Sequence, residues 1–411
     1  MNDRIISIDV IRGFAVLGIL IMNIVSFSMP SMAYFSPFVF ESTMINHFIY
    51  GLGHVIADQK FMAIFSMLFG ASILLYIDSI IKKGKRVWVL FYSRNFWLLL
   101  IGFIHSTYIW YGDVLLIYAS CSFLLYFFKR ISPKMQLILG CVIYLIPSIS
   151  NYATYKYVID NLDQSDQIVI SKHWNPSQEA MQKEIDAYRG PYKGQVHYRE
   201  EMFASNIKKN YFPGAIGKGI IGASFIIDLF SRSFGMMLIG MACFSWGIFS
   251  NKRSEFFYKK SIIYGFGIGI PLSIMGLFLN YYFDWDWKYI QFLGRIPNNI
   301  ATPFVAFAYI GMVMLFIRNN IYNTFQARLQ ALGKTALTSY LTQSIIATSI
   351  FYGFGLGLFG YMNRLSQLAV VLLIWGFLLI ICPIWLKRFK YGPVEWIWRI
   401  LTNMRLISIF K

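Results

Sequence analysis

The chain repeats runs of about twenty mostly apolar residues, the length at which a helix crosses the hydrocarbon core of a bilayer. They fall at roughly 10–29, 61–81, 88–109, 114–128, 136–150, 214–250, 261–280, 299–317, 335–353 and 365–386. Hydrophobic residues make up 57% of the 411 and charged residues only 14%, against about 25% charged in soluble domains. A soluble chain could not hide that much apolar surface. The expected fold is therefore all-α, a polytopic membrane protein with about ten transmembrane helices. The N-terminal bundle is 1–150, about five spans. An extracytoplasmic loop or cap follows at 151–213, then a C-terminal bundle of about five spans at 214–386 and a basic tail at 387–411. The sixth run is overlong, and its Gly-rich start from Gly214 reads as an interfacial segment. Arg4 before an apolar run looks like a leader, but Asp9 and Asn23 interrupt that pattern. The first run reads as a retained span.

The formal net charge is +18. Its placement decides its meaning. Bases cluster at 82–86, 129–134, 252–260, 318–334 and 387–411. The short loops at 30–60, 110–113, 281–298 and 354–364 hold only Lys60, Lys288, Arg295 and Arg364. By the positive-inside bias both termini are expected in the cytoplasm. The excess then reflects topology and attraction to anionic membrane lipid, and nucleic acid is not an expected partner. The segment 151–213 is rich in tyrosine. It reads either as a folded cap or as an amphipathic stretch on the membrane surface.

A charge within the bilayer is expensive, so each one needs a partner or a task. Asp9 and Arg12, three apart, share a helix face and can pair. Asn23 returns to roughly that face three turns later. Asp58 and Lys60 sit at the entry of the second span. Asp228 and Arg232 are four apart in the sixth. Both close pairs read equally as structural bridges. The sharpest constellation is Gly102-Phe-Ile-His105 followed by Trp110-Tyr-Gly112-Asp113. A short turn brings His105 and Asp113 to one membrane face, where a carboxylate can orient an imidazole base. The bland alternative is a pair of interfacial anchors. His47 and His54, seven apart, are second candidates.

Other motifs fail. Gly333-Lys334-Thr335 resembles the end of a phosphate-binding loop, but Arg328 stands where its first glycine belongs. The cysteines (Cys121, Cys141, Cys243, Cys382) all lie in apolar runs without metal spacing. No metal site is expected.

Several segments together resemble the YeiB-type bacterial membrane proteins. They are Asp9-Val-Ile-Arg12-Gly13 with Met22-Asn23; Lys60-Phe-Met-Ala-Ile-Phe65-Ser66-Met-Leu-Phe69-Gly70; Gly102–His105 with Gly112-Asp113; Tyr188-Arg-Gly190-Pro-Tyr192 with Arg199; Gly333-Lys-Thr-Ala336 through Tyr340 to Gln343-Ser344; and Gly392-Pro393-Val-Glu395-Trp396-Ile-Trp398-Arg399. The resemblance covers nearly the whole chain. The opening Asp-x-x-Arg-Gly is shared with a broader transmembrane acyltransferase superfamily. That likeness implies a location in the bacterial cytoplasmic membrane and an acyl-coenzyme A donor entering from the cytoplasm. It also implies an acceptor outside: an envelope sugar, a lipid or an exported metabolite. In the glucosaminide branch a histidine precedes an Ala-Asp pair, and here His47 precedes Ala57-Asp58.

On this reading His105 is the base, Asp113 its orienter and His47 the second candidate. Arg12 would hold donor phosphates, with Asp58, Lys60 and Arg232 as further binding residues. Asn23 or Gln343 would donate to a developing oxyanion. Asp9 and Asp228 would be structural partners. Two other functions fit the same residues: a transporter or flippase gated by the intramembrane pairs, and a non-catalytic partner protein docking through 151–213.

Overall fold

The computed structural model describes residues 5–39, 42–161, 163–208, 215–319 and 322–411. Arg4 and Gly214 lie outside them, as does the expected cap boundary at 213. The described chain is α-helical, and its only β feature is one isolated bridge between Phe389 and Phe410. The helices are α1 (Ile6–Ser28), α2 (Met44–Ile56), α3 (Lys60–Lys82), α4 (Val87–Ile104), α5 (Leu115–Leu125) and α6 (Pro133–Asn161). Then come α7 (Gln164–Trp174), α8 (Gln178–Arg189), α9 (Tyr192–Lys208), α10 (Ala215–Ser245) and α11 (Glu255–Tyr282). The last are α12 (Arg295–Asn319), α13 (Asn323–Lys334), α14 (Ala336–Phe351), α15 (Arg364–Arg388) and α16 (Pro393–Asn403). Short polar residues start several of them. Thr43, Ser254 and Asn363 accept the Asn46, Phe257 and Ser366 amides at the heads of α2, α11 and α15, satisfying donors that have no partner within the helix.

Among the described residues, eight helical stretches are long and apolar enough to cross a membrane. The sequence suggested about ten, and the difference lies at two places. Helix α5 ends at Leu125 and tightens into a 3₁₀ turn through Arg130. Helix α14 begins only at Ala336, after a break at Thr335, and spans 16 residues. Both are helical, but each is too short alone for the apolar core. Helices α2 and α3 form one crossing broken at Gln59, whose φ is 65°.

Helix ends gather at two faces. At one face, here called proximal, the Ser7 hydroxyl donates to Phe249 O at 2.6 Å and Arg318 Nε to Asn251 Oδ1 at 2.8 Å. At the distal face, the Gly360 amide donates to Ser28 O at 2.7 Å and the Gly353 amide to Tyr188 O at 2.8 Å. Helix α8 docks there too: the Ser31 amide donates to Glu184 Oε1 at 3.0 Å, and Arg189 Nε donates to Phe359 O.

Helix α1 is central. Its apolar stretch is 67% buried, against 22% for α11. Helices α11 and α15 instead expose apolar side chains such as Ile263, Phe278, Leu372 and Leu373, as lipid-facing helices should. The α1–α13 crossing is close because glycines meet backbone: a Cβ on Gly333 would lie 1.8 Å from Asp9 O, and one on Gly13 2.1 Å from Leu329 O.

Candidate functional site

Two buried histidine–carboxylate centres form inside the bundle. The first is at the end of α4, where the last turn widens into a π turn over His105–Ile109 and the Trp110 amide reaches back to His105 O at 2.9 Å. Such turns often mark functional positions. This one leaves His105 facing the head of α5. His105 Nδ1 lies 2.8 Å from Asp113 Oδ1. Asp113 Oδ2 accepts the Leu116 amide at 2.8 Å, so the same carboxylate caps α5. An ionised carboxylate only accepts, so Nδ1 donates to it, and in the neutral imidazole Nε2 then holds the lone pair. His105 Nε2 is buried and has no hydrogen-bond partner among the described residues. The Tyr340 ring is 5.4 Å away, with its hydroxyl accepting the Val114 amide.

The second centre occupies the break between α2 and α3. Lys60 is 0% exposed. Its ammonium donates to His54 O at 2.8 Å and to Asn298 Oδ1, which also accepts from Ser273 Oγ. Asn298 Nδ2 donates to Asp58 Oδ2 at 2.9 Å, and the Tyr34 hydroxyl donates to Asp58 Oδ1 at 3.0 Å. His54 Nδ1 stands 3.5 Å from Asp58 Oδ2, with Nε2 buried and unpartnered among the described residues. Burial and the Asp58 carboxylate push the Tyr34 phenol well above its ordinary value, opposed by Arg232 and Arg295. Arg232, paired with Asp228 one turn away, therefore lies within the electrostatic reach of this cluster.

The remaining expected residues divide. Arg12 pairs with Asp9 at 3.3 Å and donates to Ser72 Oγ at 2.8 Å. Ser72 lines a cavity of about 10 Å³ with Arg94 and Tyr76. Gln343 donates to Val16 O at 3.1 Å, which ties α14 to α1. Asn23 is half-buried on α1 and bonds to neither centre. His47 lies at the distal face, between Tyr281 OH at 2.7 Å and Ser42 Oγ at 2.8 Å. It is thus separate from Asp58, whose histidine is His54. Neither Asn298 nor Tyr340 was given a role from the sequence. Only the adjacent polar pair Asn298-Asn299, at the edge of an apolar run, hinted at the first, and the second stood only within the YeiB-like segment Gly333–Ser344.

At the proximal side, Glu395 of α16 accepts the Leu337 and Thr338 amides, capping α14 from another helix. Burial pushes its carboxyl up, partly offset by those donors. This explains how the segments Gly333–Ser344 and Gly392–Arg399 belong to one structure.

Residues 243–405 match the family described as "Protein of unknown function (DUF418)". The chain is 29% identical to the Uncharacterized protein YeiB of Escherichia coli (strain K12), over 97% of this chain and 96% of that one. It is also 29% identical to the Uncharacterized protein YxaH of Bacillus subtilis (strain 168), over 100% and 97%. An uncharacterized 39.9 kDa protein of Bacillus acidopullulyticus is 26% identical over 100% and 96%. No solved structure matches.

Proposed function

As a member of the DUF418 family and a full-length homologue of YeiB and YxaH, this multi-pass membrane protein is, we propose, a transmembrane acyltransferase of the bacterial cytoplasmic membrane. The observation that carries the reading is the buried His105–Asp113 pair, with Nε2 unpartnered among the described residues. The positive-inside bias makes the proximal face cytoplasmic, with both termini there and α5 and α14 completing about ten spans. The donor is an acyl-coenzyme A, with Arg12 at the proximal side as a phosphate contact. The acceptor is a hydroxyl or amine of an envelope sugar, lipid or exported metabolite. His105 Nε2 takes the acceptor's proton as its oxygen or nitrogen attacks the thioester carbonyl. The C–S bond breaks, and the proton passes to the leaving thiolate. Asp113 holds the imidazolium that forms.

The test is release of free coenzyme A thiol from acetyl-coenzyme A by purified protein supplied with envelope extract. Loss of a positioned base costs about 10²–10⁴-fold, so His105→Ala should fall by at least that lower figure. Equal turnover by the variant sinks the assignment.

A second reading, transport, is favoured by one observation. Lys60 and Asp58 flank the break at Gln59 between α2 and α3, where Asn298 of α12 reaches Asp58, and broken helices with buried ionisable groups characterise substrate sites in transporters. Ion-driven uptake into proteoliposomes that is lost in Lys60→Met supports it; no uptake removes it.

A further inference from the structure

The distal face holds a cavity of about 660 Å³, a volume suited to a small-molecule ligand. Four aromatic side chains line it: Phe38, Tyr281, Trp285 and Trp287. The rings meet at corners. Tyr281 and Trp285 are 5.2 Å apart at 90°, and Phe38 stands edge-on to both at 6.2 and 6.1 Å. Two carboxylates, Asp284 and Asp286, share the same wall, and no lysine, arginine or histidine is among the lining residues. Asp286 Oδ1 accepts the Lys288 amide at 2.9 Å, while the Lys288 ammonium turns away to Gln167. Asp284 makes no side-chain hydrogen bond among the described residues.

The backbone here is held against its preference. Asp284 and Trp285, neither a glycine, both adopt left-handed φ, at 48° and 55°. Each such residue is disfavoured and persists only where its surroundings enforce it. Trp285 is 6% exposed, yet its indole Nε1 has no partner among the described residues. A wall built this way lines one concave space with four aromatic rings and two carboxylates, and low-dielectric sides concentrate the field of such charges.

We propose that this cavity binds an organic ammonium ion. Aromatic faces attract a cation through their quadrupoles, most strongly when it is desolvated. The carboxylates supply the counter-charge that the lining otherwise lacks. A neutral polyol would leave that charge unmatched, and an anion would be repelled. His47 acts from behind, holding the Tyr281 hydroxyl and meeting the Phe38 ring edge at 4.6 Å between centroids. The inference does not rest on acyl transfer.

The experiment is calorimetric titration of the full-length protein in detergent with choline, with 3,3-dimethylbutan-1-ol as its neutral isostere, and with glucose, without any acyl donor. Choline should bind saturably and at least tenfold more tightly than the isostere. Asp284→Asn with Asp286→Asn should weaken choline at least tenfold, and Phe38→Ala should weaken it while leaving the melting temperature unchanged. Equal affinity for choline and its isostere, preference for glucose, no binding of choline, or wild-type affinity in the double variant would each overturn the proposal.

Discussion

His105 Nδ1 and Asp113 Oδ1 lie 2.8 Å apart, with side chains 1% and 0% exposed. Residues on either side of a helix end thus meet in a sealed, charge-assisted hydrogen bond. The carboxylate also caps α5 through the Leu116 amide. Removing it should cost twice over. We expect Asp113→Ala to lower stability by about 2–5 kcal/mol, combining a lost buried partner with a lost cap. Asp113→Asn should lose less, because the amide oxygen can still accept from Leu116. Thermal melts in detergent should rank wild type, Asn, then Ala; identical melts for the two variants would contradict the double role.

Lys60 and Asp58 share Asn298. Lys60→Met alone leaves a buried carboxylate without its neighbouring cation, and breaking a buried pair costs about 3–5 kcal/mol. Adding Asp58→Asn should recover part of that loss, with a coupling of about 0.5–3 kcal/mol. A double-mutant cycle by denaturant unfolding measures it, and additive losses would show that the two side chains do not interact.

Glu184 fastens α8 to the distal loop through Ser31. Burial pushes its carboxyl up to about 7, opposed by the Ser31 donors. A raised acid favours the protonated folded form. Its contribution to docking is therefore full below the unfolded value and is lost as pH rises from the ordinary carboxylate range through about 7. Amide exchange in α8 should quicken across that window in wild type. In Glu184→Gln, which cannot ionise, exchange corrected for its intrinsic pH dependence should stay flat.

Gly333→Ala puts a methyl group 1.8 Å from Asp9 O at the α1–α13 crossing. Both neighbours are backbone, so the helices must separate. We expect a loss of about 1–3 kcal/mol or more and a lower melting temperature. Gly376→Ala, with nothing within 4 Å of the added carbon, is the control that should leave it unchanged.

Much of this was readable along the chain. The pairing of His105 with Asp113 followed from their separation across one short turn, and Asp9–Arg12 and Asp228–Arg232 from helical spacing. Those relationships are local, so periodicity reaches them. That Gln343 would bond to Val16 O of α1 was not legible, because a helix position says which side faces inward but not which neighbour waits there. His54, not His47, came to Asp58 because four residues make one helical turn and eleven make three, and α2 ends just before the aspartate.

The apolar run lengths and the placement of bases dictated a bundle of membrane helices, since hydrocarbon tolerates no unpaired backbone and each crossing must close its own hydrogen bonds. Packing alone decided which crossings are broken or short, that Asn298 would meet Lys60 across more than two hundred residues, and that Glu395 would cap α14 from a different helix. Side chains so distant in the chain share no local energy. Only the way helices cross, set by glycine contacts and the fit of one side chain against another, brings them within reach.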